Sequence, residues 1–507
     1  MARVRRRLAG GGPATAAALT VDWRGRPAKS GECPGHRELR AEVNGSKMGE
    51  REASAGMACG APPGNSPSEL TVLQVGEGRF LRAFLGVLAA QARDRGEFRG
   101  RLILTAPRAN GSERLAALRA AGGRYRLVVR GEQGEQTRFI APYDRIIDSV
   151  SESEDLLGEI TLPSPLIIVS NTTEAGLDYR PDDPKRPVTY PARLAVWLQA
   201  RRDAGAAGPV CVIPCELVAE NARVLQEAAV RHAVDWGLDP IRLLQGVSFA
   251  ETLVDRIVTS EDATDPFACF TEPYMAWYIG GAPDWARRGL SLDPRFVHWV
   301  DDVTPARDRK VRLLNGTHTL MAAVGLQMGG KGVREALQHP VLGAFLRSAL
   351  HEEGVGSFPP PARPAAAAFA AETLERFQNP GIRDTLERLA LQMSAKVRAR
   401  WTPILEGYRR EQGRWPERFA LGVAAYLRLA AGEFVDLSAI DDPEWVGRLR
   451  SLRHGASTAE FVRAAAAAPS WPVPVDEALL GLVVRHLDGL DCSGVSAHIQ
   501  AVVRGGA

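Results

Sequence analysis

An α/β Rossmann-type domain followed by a mostly α-helical domain is the fold class this 507-residue sequence predicts. Three observations predict it. Order begins with a short apolar run, a glycine-rich turn and a helical stretch, the entry to a dinucleotide-binding unit. Buried-type strands then alternate with helical periodicity to about Leu243, the βαβ rhythm of a doubly wound sheet. From Thr304 onward the pattern is almost entirely helical. The predicted boundaries are a disordered or over-extended N-terminal segment at 1–68, a Rossmann-type domain at 69–284 and a helical substrate domain at 285–507.

Residues 1–68 carry a basic start, Arg3-Val-Arg-Arg-Arg7, and then mainly Gly, Pro, Ser and Ala. They lack apolar periodicity, which predicts disorder. Met48 and Met57 lie just upstream of the first strand and suit a later start. The first strand is Glu69–Val75, and it runs into Gly76-Glu-Gly-Arg-Phe-Leu-Arg82. Gly76 and Gly78 let the backbone approach a pyrophosphate at a helix N-terminus. Arg82 falls near the place of the third glycine, so Gly76, Gly78 and Arg82 are cofactor-binding candidates. Arg101–Thr105 is the second strand. No acid follows it for a ribose hydroxyl. Arg108 there suits a 2′-phosphate, which leaves NADP open beside NAD.

A helix at 112–121 leads to a hairpin, 125–130 with 137–140, turning at Gly131–Gly134. Pro165–Ser170 reads as a parallel-sheet strand. It empties into Asn171-Thr-Thr-Glu174, and the carboxyl ends of such strands are where ligands bind. Asn171, Thr172 and Glu174 are therefore cofactor-binding candidates. A helix at 191–203, a strand at 209–213 and a helix at 221–236 follow. Then come one extended stretch at 247–258 and another at 272–279. Thr304-Pro305 with Asp308 starts a long helix that stops at Gly329-Gly330. Later helices are expected near 341–352, 365–377, 383–401, 416–431, 458–467, 475–489 and 495–504, with 357–361 as a loop and hinge.

At 45% hydrophobic and 24% charged, with net charge +3, the composition is that of an ordinary soluble protein. Such a balance suits neither nucleic acid nor a membrane partner. No 18-residue apolar run predicts a transmembrane helix. The six cysteines are too scattered for a disulfide framework, and Cys211 with Cys215 reads as a buried strand pair. A reduced, cytoplasmic, metal-free protein is expected.

The chemistry concentrates in Arg309-Lys-Val-Arg-Leu-Leu-Asn-Gly-Thr-His318. At about 100° per residue, Lys310, Asn315 and His318 fall within an arc of roughly 140° on one helix. A lysine can move the proton of a carbonyl or hydroxyl, and an amide and imidazole can fix its oxygen. Val311, Leu314, His318 and Met321 also form an apolar stripe, so His318 reads equally as a core histidine. Gly316 inside the helix implies a close backbone approach.

These residues resemble the long-chain mannitol dehydrogenase family of polyol-specific dehydrogenases and reductases. The likeness rests on Gly76–Phe84, Val169–Gly176, Ile213–Leu217, Leu253–Val258, Val300–Pro305, Arg309–His318 and Arg376–Pro380, and covers roughly residues 69–470. The Asn-Thr-Thr-Glu and Pro-Cys-Glu-Leu segments point to the branch that interconverts a keto-hexuronate and its aldonate. Fructuronate, mannitol or a polyol phosphate are the alternative substrates, and a non-catalytic nucleotide sensor is the reading from another class. The resemblance implies a cleft between the two domains, metal-independent NAD chemistry, Lys310 as general acid/base, and Asn315 and His318 on the reacting oxygen. It adds Phe80 to the cofactor site and Glu216, Asp255, Arg376 and Lys396 to the substrate site. Arg376 or Lys396 would bind the carboxylate. An oxygen-binding asparagine of the family falls at Leu217 here, and Asn171 is the first candidate to replace it.

Overall fold

The computed structural model describes residues 70–107, 111–259, 264–382, 384–432, 437 and 441–505. The expectation for residues 1–68 and the role suggested for Arg108 lie outside them. The described residues open on a six-stranded sheet. In spatial order its strands are Arg145–Ile146, Arg101–Thr105, Thr71–Val75, Leu166–Ser170, Val210–Pro214 and Val247–Phe249. All the pairings are parallel. In chain order this is third, second, first, fourth, fifth, sixth, the Rossmann arrangement. Its central strands are buried throughout. Helices such as Tyr190–Asp203 and Asn221–Asp235 cover its faces, which is why these strands read as continuous apolar runs.

The single extended stretch expected at 247–258 is three strands in three sheets. Val247–Phe249 closes the parallel sheet. Glu251–Asp255 pairs antiparallel with Ala276–Gly280, and Val258–Thr259 pairs with Cys269–Thr271. The expected hairpin is present as Tyr125–Gly131 and Gly134–Ile140, and it joins Cys269–Thr271. A run of β-formers says that a segment is extended, while its partners are set by distant chain.

Helices dominate from Thr304 onward, around one large apolar core that includes Leu320, Phe345, Trp401, Phe419 and Phe461. The helix expected from 383 to 401 is broken. It is Leu386–Leu389 and then Met393–Gln412, with Gln392 between them at φ 51°. The 357–361 segment is anchored at its start and exposed at its end: Ser357 and Phe358 are buried, the Arg312 guanidinium donates to the Ser357 carbonyl at 3.0 Å, and Pro359, Pro360 and Pro361 are exposed. No helix among the described residues is long and apolar enough to cross a membrane.

Candidate active site

The helix that carries Lys310 begins at Thr304, with Pro305 in its first turn. Its N-cap is Val303, one step earlier than the sequence suggests, and Asp302 Oδ1 accepts from the Thr304 N–H at 2.8 Å. From Lys310 to Asn315 the helix widens into a π turn, and it returns to α geometry at Gly316. A π turn spaces side chains differently from 100° per residue, so the arc expected for Lys310, Asn315 and His318 does not hold as calculated. Such turns recur at functional sites because they re-aim a side chain. Gly316 is closely packed. A Cβ there would lie 2.7 Å from Ile404 Cδ1, and Trp401 Nε1 donates to the Gly316 carbonyl at 3.0 Å.

Lys310 Nζ donates to the Val254 carbonyl at 2.8 Å and lies 3.3 Å from Asp255 Oδ1. Asp255 in turn binds Arg376 through both oxygens, at 2.9 and 3.1 Å. Arg376 also binds Glu272 twice, at 3.0 and 2.8 Å. Glu272 accepts the Ile257 N–H at 2.8 Å, and Tyr274 lies under the guanidinium at 4.1 Å. Two cations thus meet two carboxylates in a buried cluster that joins the extended segments to the helical part. Burial favours the neutral form of both acids. At Asp255 the charges of Lys310 and Arg376 overcome burial and hold its carboxyl below its ordinary value. At Glu272 burial prevails over Arg376 and the carboxyl is raised. Carboxylates take four of the five Arg376 N–H groups, which leaves one for the substrate carboxylate that the resemblance assigned to Arg376 or Lys396.

Asn315 is half-buried, and its side-chain amide has no hydrogen-bond partner among the described residues. His318 is 7% exposed and stacks on Phe377, with ring centroids 4.2 Å apart. Burial, then the charges of Arg400 and Arg376, push its imidazole down to about 3, so the ring is neutral at working pH. The apolar stripe is present: packing fixes the ring, and its nitrogens have no hydrogen-bond partner among the described residues. Lys396 is half-buried and donates to the Leu389 carbonyl at 3.1 Å. Beside it stands Arg400, which the sequence reading missed. Arg400 Nη1 donates to Thr319 Oγ1 at 3.0 Å and to the Asn315 carbonyl at 3.3 Å. The signal was available: Arg400 is one turn beyond Lys396 on the same helix.

A cleft of about 430 Å³ is lined by Phe80, Asn171, Thr172 and Leu217 with Val254, Arg256 and Lys310. It opens at the carboxyl ends of Thr71–Val75 and Leu166–Ser170, adjacent parallel strands between which the strand order reverses. That is where a doubly wound sheet holds a dinucleotide. The glycines fit such a guest. Gly76 has φ +138°, and a Cβ on it would lie 2.9 Å from the Asn171 carbonyl, whereas Gly78 faces open space. Glu174 starts the short turn Glu174–Gly176.

Two expected contacts point elsewhere. Arg82 is buried, with its guanidinium donating to the Glu77 and Phe267 carbonyls. It pins the turn from beneath because this position faces the core. Glu216 is buried and accepts from Ser170 Oγ at 3.2 Å and from the Thr172 N–H at 2.9 Å. It therefore ties two strand ends together and does not reach a substrate. Asn171 is held in the same way, donating to the Cys215 carbonyl at 2.7 Å. Leu217 is 66% exposed at the cleft wall.

Comparison with known proteins agrees with this layout. Residues 70–288 match the mannitol dehydrogenase Rossmann domain, and residues 302–467 match the mannitol dehydrogenase C-terminal domain. The altronate oxidoreductase of Bacillus subtilis is 34% identical over 389 residues, covering 70% of this chain and 78% of that protein. That of Klebsiella pneumoniae is 32% identical over 462 residues, covering 84% and 95%. Among solved structures, a mannitol 2-dehydrogenase of Pseudomonas fluorescens in ternary complex with NAD and D-mannitol aligns with a TM-score of 0.65 at 21% identity, covering 87% of this chain and 96% of that one. A substrate-free D-sorbitol dehydrogenase aligns at 0.71 and 20%, covering 85% and 95%. The branch anticipated from the Asn-Thr-Thr-Glu and Pro-Cys-Glu-Leu segments is the one these relatives represent. The chain belongs to the mannitol dehydrogenase family.

Proposed function

We propose that this protein is an NAD-dependent oxidoreductase of the cytoplasm that interconverts a keto-hexuronate and its aldonate, tagaturonate and altronate, with Lys310 as general acid/base. The observation that carries the reading is the grouping around Lys310. Its Nζ lines the cleft at the sheet's strand ends, and Val254 and Asp255 fix it there. Along the same helix stand an unmatched amide and a neutral imidazole. The relatives named altronate oxidoreductase support the substrate, and the strand-end cleft with its two glycines supports the cofactor.

When bound, NAD supplies the redox chemistry by accepting or giving a hydride at the reacting carbon. The chain's own residues handle the oxygen. In the oxidative direction Lys310, as the neutral amine, takes the hydroxyl proton as the C–H bond breaks and becomes the ammonium. In the reductive direction Lys310 returns it to the oxygen of the new C–O–H group. Asn315 donates a hydrogen bond to that oxygen, and His318, neutral and held on Phe377, donates a second from one ring nitrogen. Donors already in place favour the charged oxygen of the transition state over the neutral ground state. Asp255 keeps the ammonium on the cleft side of the helix.

The test is steady-state turnover of tagaturonate, fructuronate and fructose with NADH and with NADPH. Tagaturonate with NADH should show the highest kcat/KM by at least about tenfold, a margin that differential binding readily gives. A preference for fructose would reassign the substrate to the polyol branch. NADH quenching without turnover of any substrate would favour a nucleotide sensor.

A further inference from the structure

We infer that Arg400, with Lys396 one helical turn before it, anchors the carboxylate of the substrate; the inference rests on the hexuronate reading of this site. Arg400 and Lys396 lie on the helix Met393–Gln412, which crosses the Lys310 helix at Gly316. The only hydrogen-bond acceptors that Arg400 meets among the described residues are the Asn315 carbonyl and Thr319 Oγ1, both on Nη1. Its Nε and Nη2 have no partner among the described residues, and unlike Nε of Arg256 or Arg312 they are not sealed from solvent. Among the described residues the only acceptor that Lys396 meets is the Leu389 carbonyl. The nearby Asp441 is occupied by Ser394, through its N–H at 2.9 Å and its hydroxyl at 2.5 Å.

Two neighbouring cations without a carboxylate at ion-pair distance are costly to bury. Burial pushes Arg400 down to about 10, and burial with the charge of Arg400 pushes Lys396 down to about 8. A bound carboxylate relieves both, and arginine's planar fork matches its geometry. Arg376 and Arg256 lack this property. Arg376 gives four N–H groups to Asp255 and Glu272, and Arg256 donates to the Ala83 and Glu272 carbonyls.

The distances suit the chemistry. Asn315 and Thr319 are four residues apart, about 6 Å along the helix. In a six-carbon acid a secondary carbon at the reacting position is at most four C–C bonds from the carboxylate carbon, about 5 Å when extended. A substrate whose oxygen meets Asn315 and His318 therefore presents its carboxylate level with Thr319, where Arg400 binds.

The test is altronate oxidation with NAD by the wild type, Arg400→Met, Arg400→Lys and Lys396→Met, with mannitol as the neutral comparison and NADH affinity from fluorescence. Arg400→Met should raise KM for altronate by roughly ten- to a hundredfold, the range for a charged hydrogen bond. NADH affinity should not change, and mannitol turnover should change much less. Arg400→Lys should fall between. Equal losses on altronate and mannitol would assign Arg400 a packing role and overturn the inference, as would an altronate KM within about twofold of wild type. If Arg400→Met does not fold, Arg400→Lys and Lys396→Met decide, and normal altronate KM in both overturns the anchor. A wild type that turns over no hexuronate or aldonate fails the substrate reading and the anchor together. A normal wild type with normal variants fails the anchor alone.

Discussion

Two groups of cations press on the helix that carries Lys310, and they differ in what they face. On the Lys310 side, Arg376 and Lys310 meet Asp255 and Glu272, and the buried charges balance. On the His318 side, Arg400 and Lys396 meet carbonyls and one hydroxyl, and no carboxylate among the described residues. A balanced buried cluster has its demand for counter-charge met from within the chain. An unbalanced one carries a cost that a ligand can remove. Packing separates arginines that a motif cannot separate: the resemblance nominated Arg376 or Lys396 for the carboxylate, and packing surrounds Arg376 with two carboxylates while Lys396 stands one turn from Arg400.

The comparison can be sharpened first at Lys310, the member of the balanced group that lines the cleft. Lys310→Ala should lower kcat by about a hundred- to ten-thousandfold, the range for general acid/base catalysis, with NADH affinity intact. Near-normal turnover would remove Lys310 from the chemistry. The balanced cluster should respond in stability. Arg376→Ala leaves buried Glu272 without a cation and Asp255 with Lys310 alone, and should cost about 3–5 kcal/mol in urea unfolding. If that variant kept its stability and lost only altronate affinity, Arg376 would be the anchor and the contrast would collapse.

Asn315 belongs to neither group and offers only its amide. Asn315→Ala should slow turnover by about a hundredfold, as for loss of one oxygen-binding donor, with KM nearly unchanged. An effect confined to KM would mean that the amide binds the ground state. The smallest effect is at His318. Its folded-state value of about 3 lies below its ordinary 6.5. Protons therefore bind the unfolded chain first as pH falls. Stability from this group is intact above pH 6.5 and is lost toward pH 3. Between pH 6.5 and 5.5 the wild type should lose about 1 kcal/mol more than His318→Gln. Parallel stability curves for the two would show that His318 is not held neutral.

Local patterns were readable where one residue type forces one outcome. The apolar runs at Thr71–Val75, Leu166–Ser170 and Val210–Pro214 are buried strands. The glycine at 329 ends the Lys310 helix in the left-handed region. The lysine, amide and imidazole were found by their spacing and by family likeness. The extended stretch at 247–258 was not divisible by eye, because three different sheets claim its parts. The break at Gln392 was equally hidden, since glutamine is an ordinary helix former.

By itself the sequence determined the fold class and the family and nominated the residues for the reacting oxygen, because these depend on periodicity and on short spacings within one element. Only the tertiary structure decided where long side chains end. Arg82 and Glu216 turn inward to tie backbone, Arg376 meets carboxylates 121 and 104 residues away in the chain, and Arg400 is left with none. An arginine can reach in many directions from its backbone, so its role is fixed by which distant segment supplies the counter-charge.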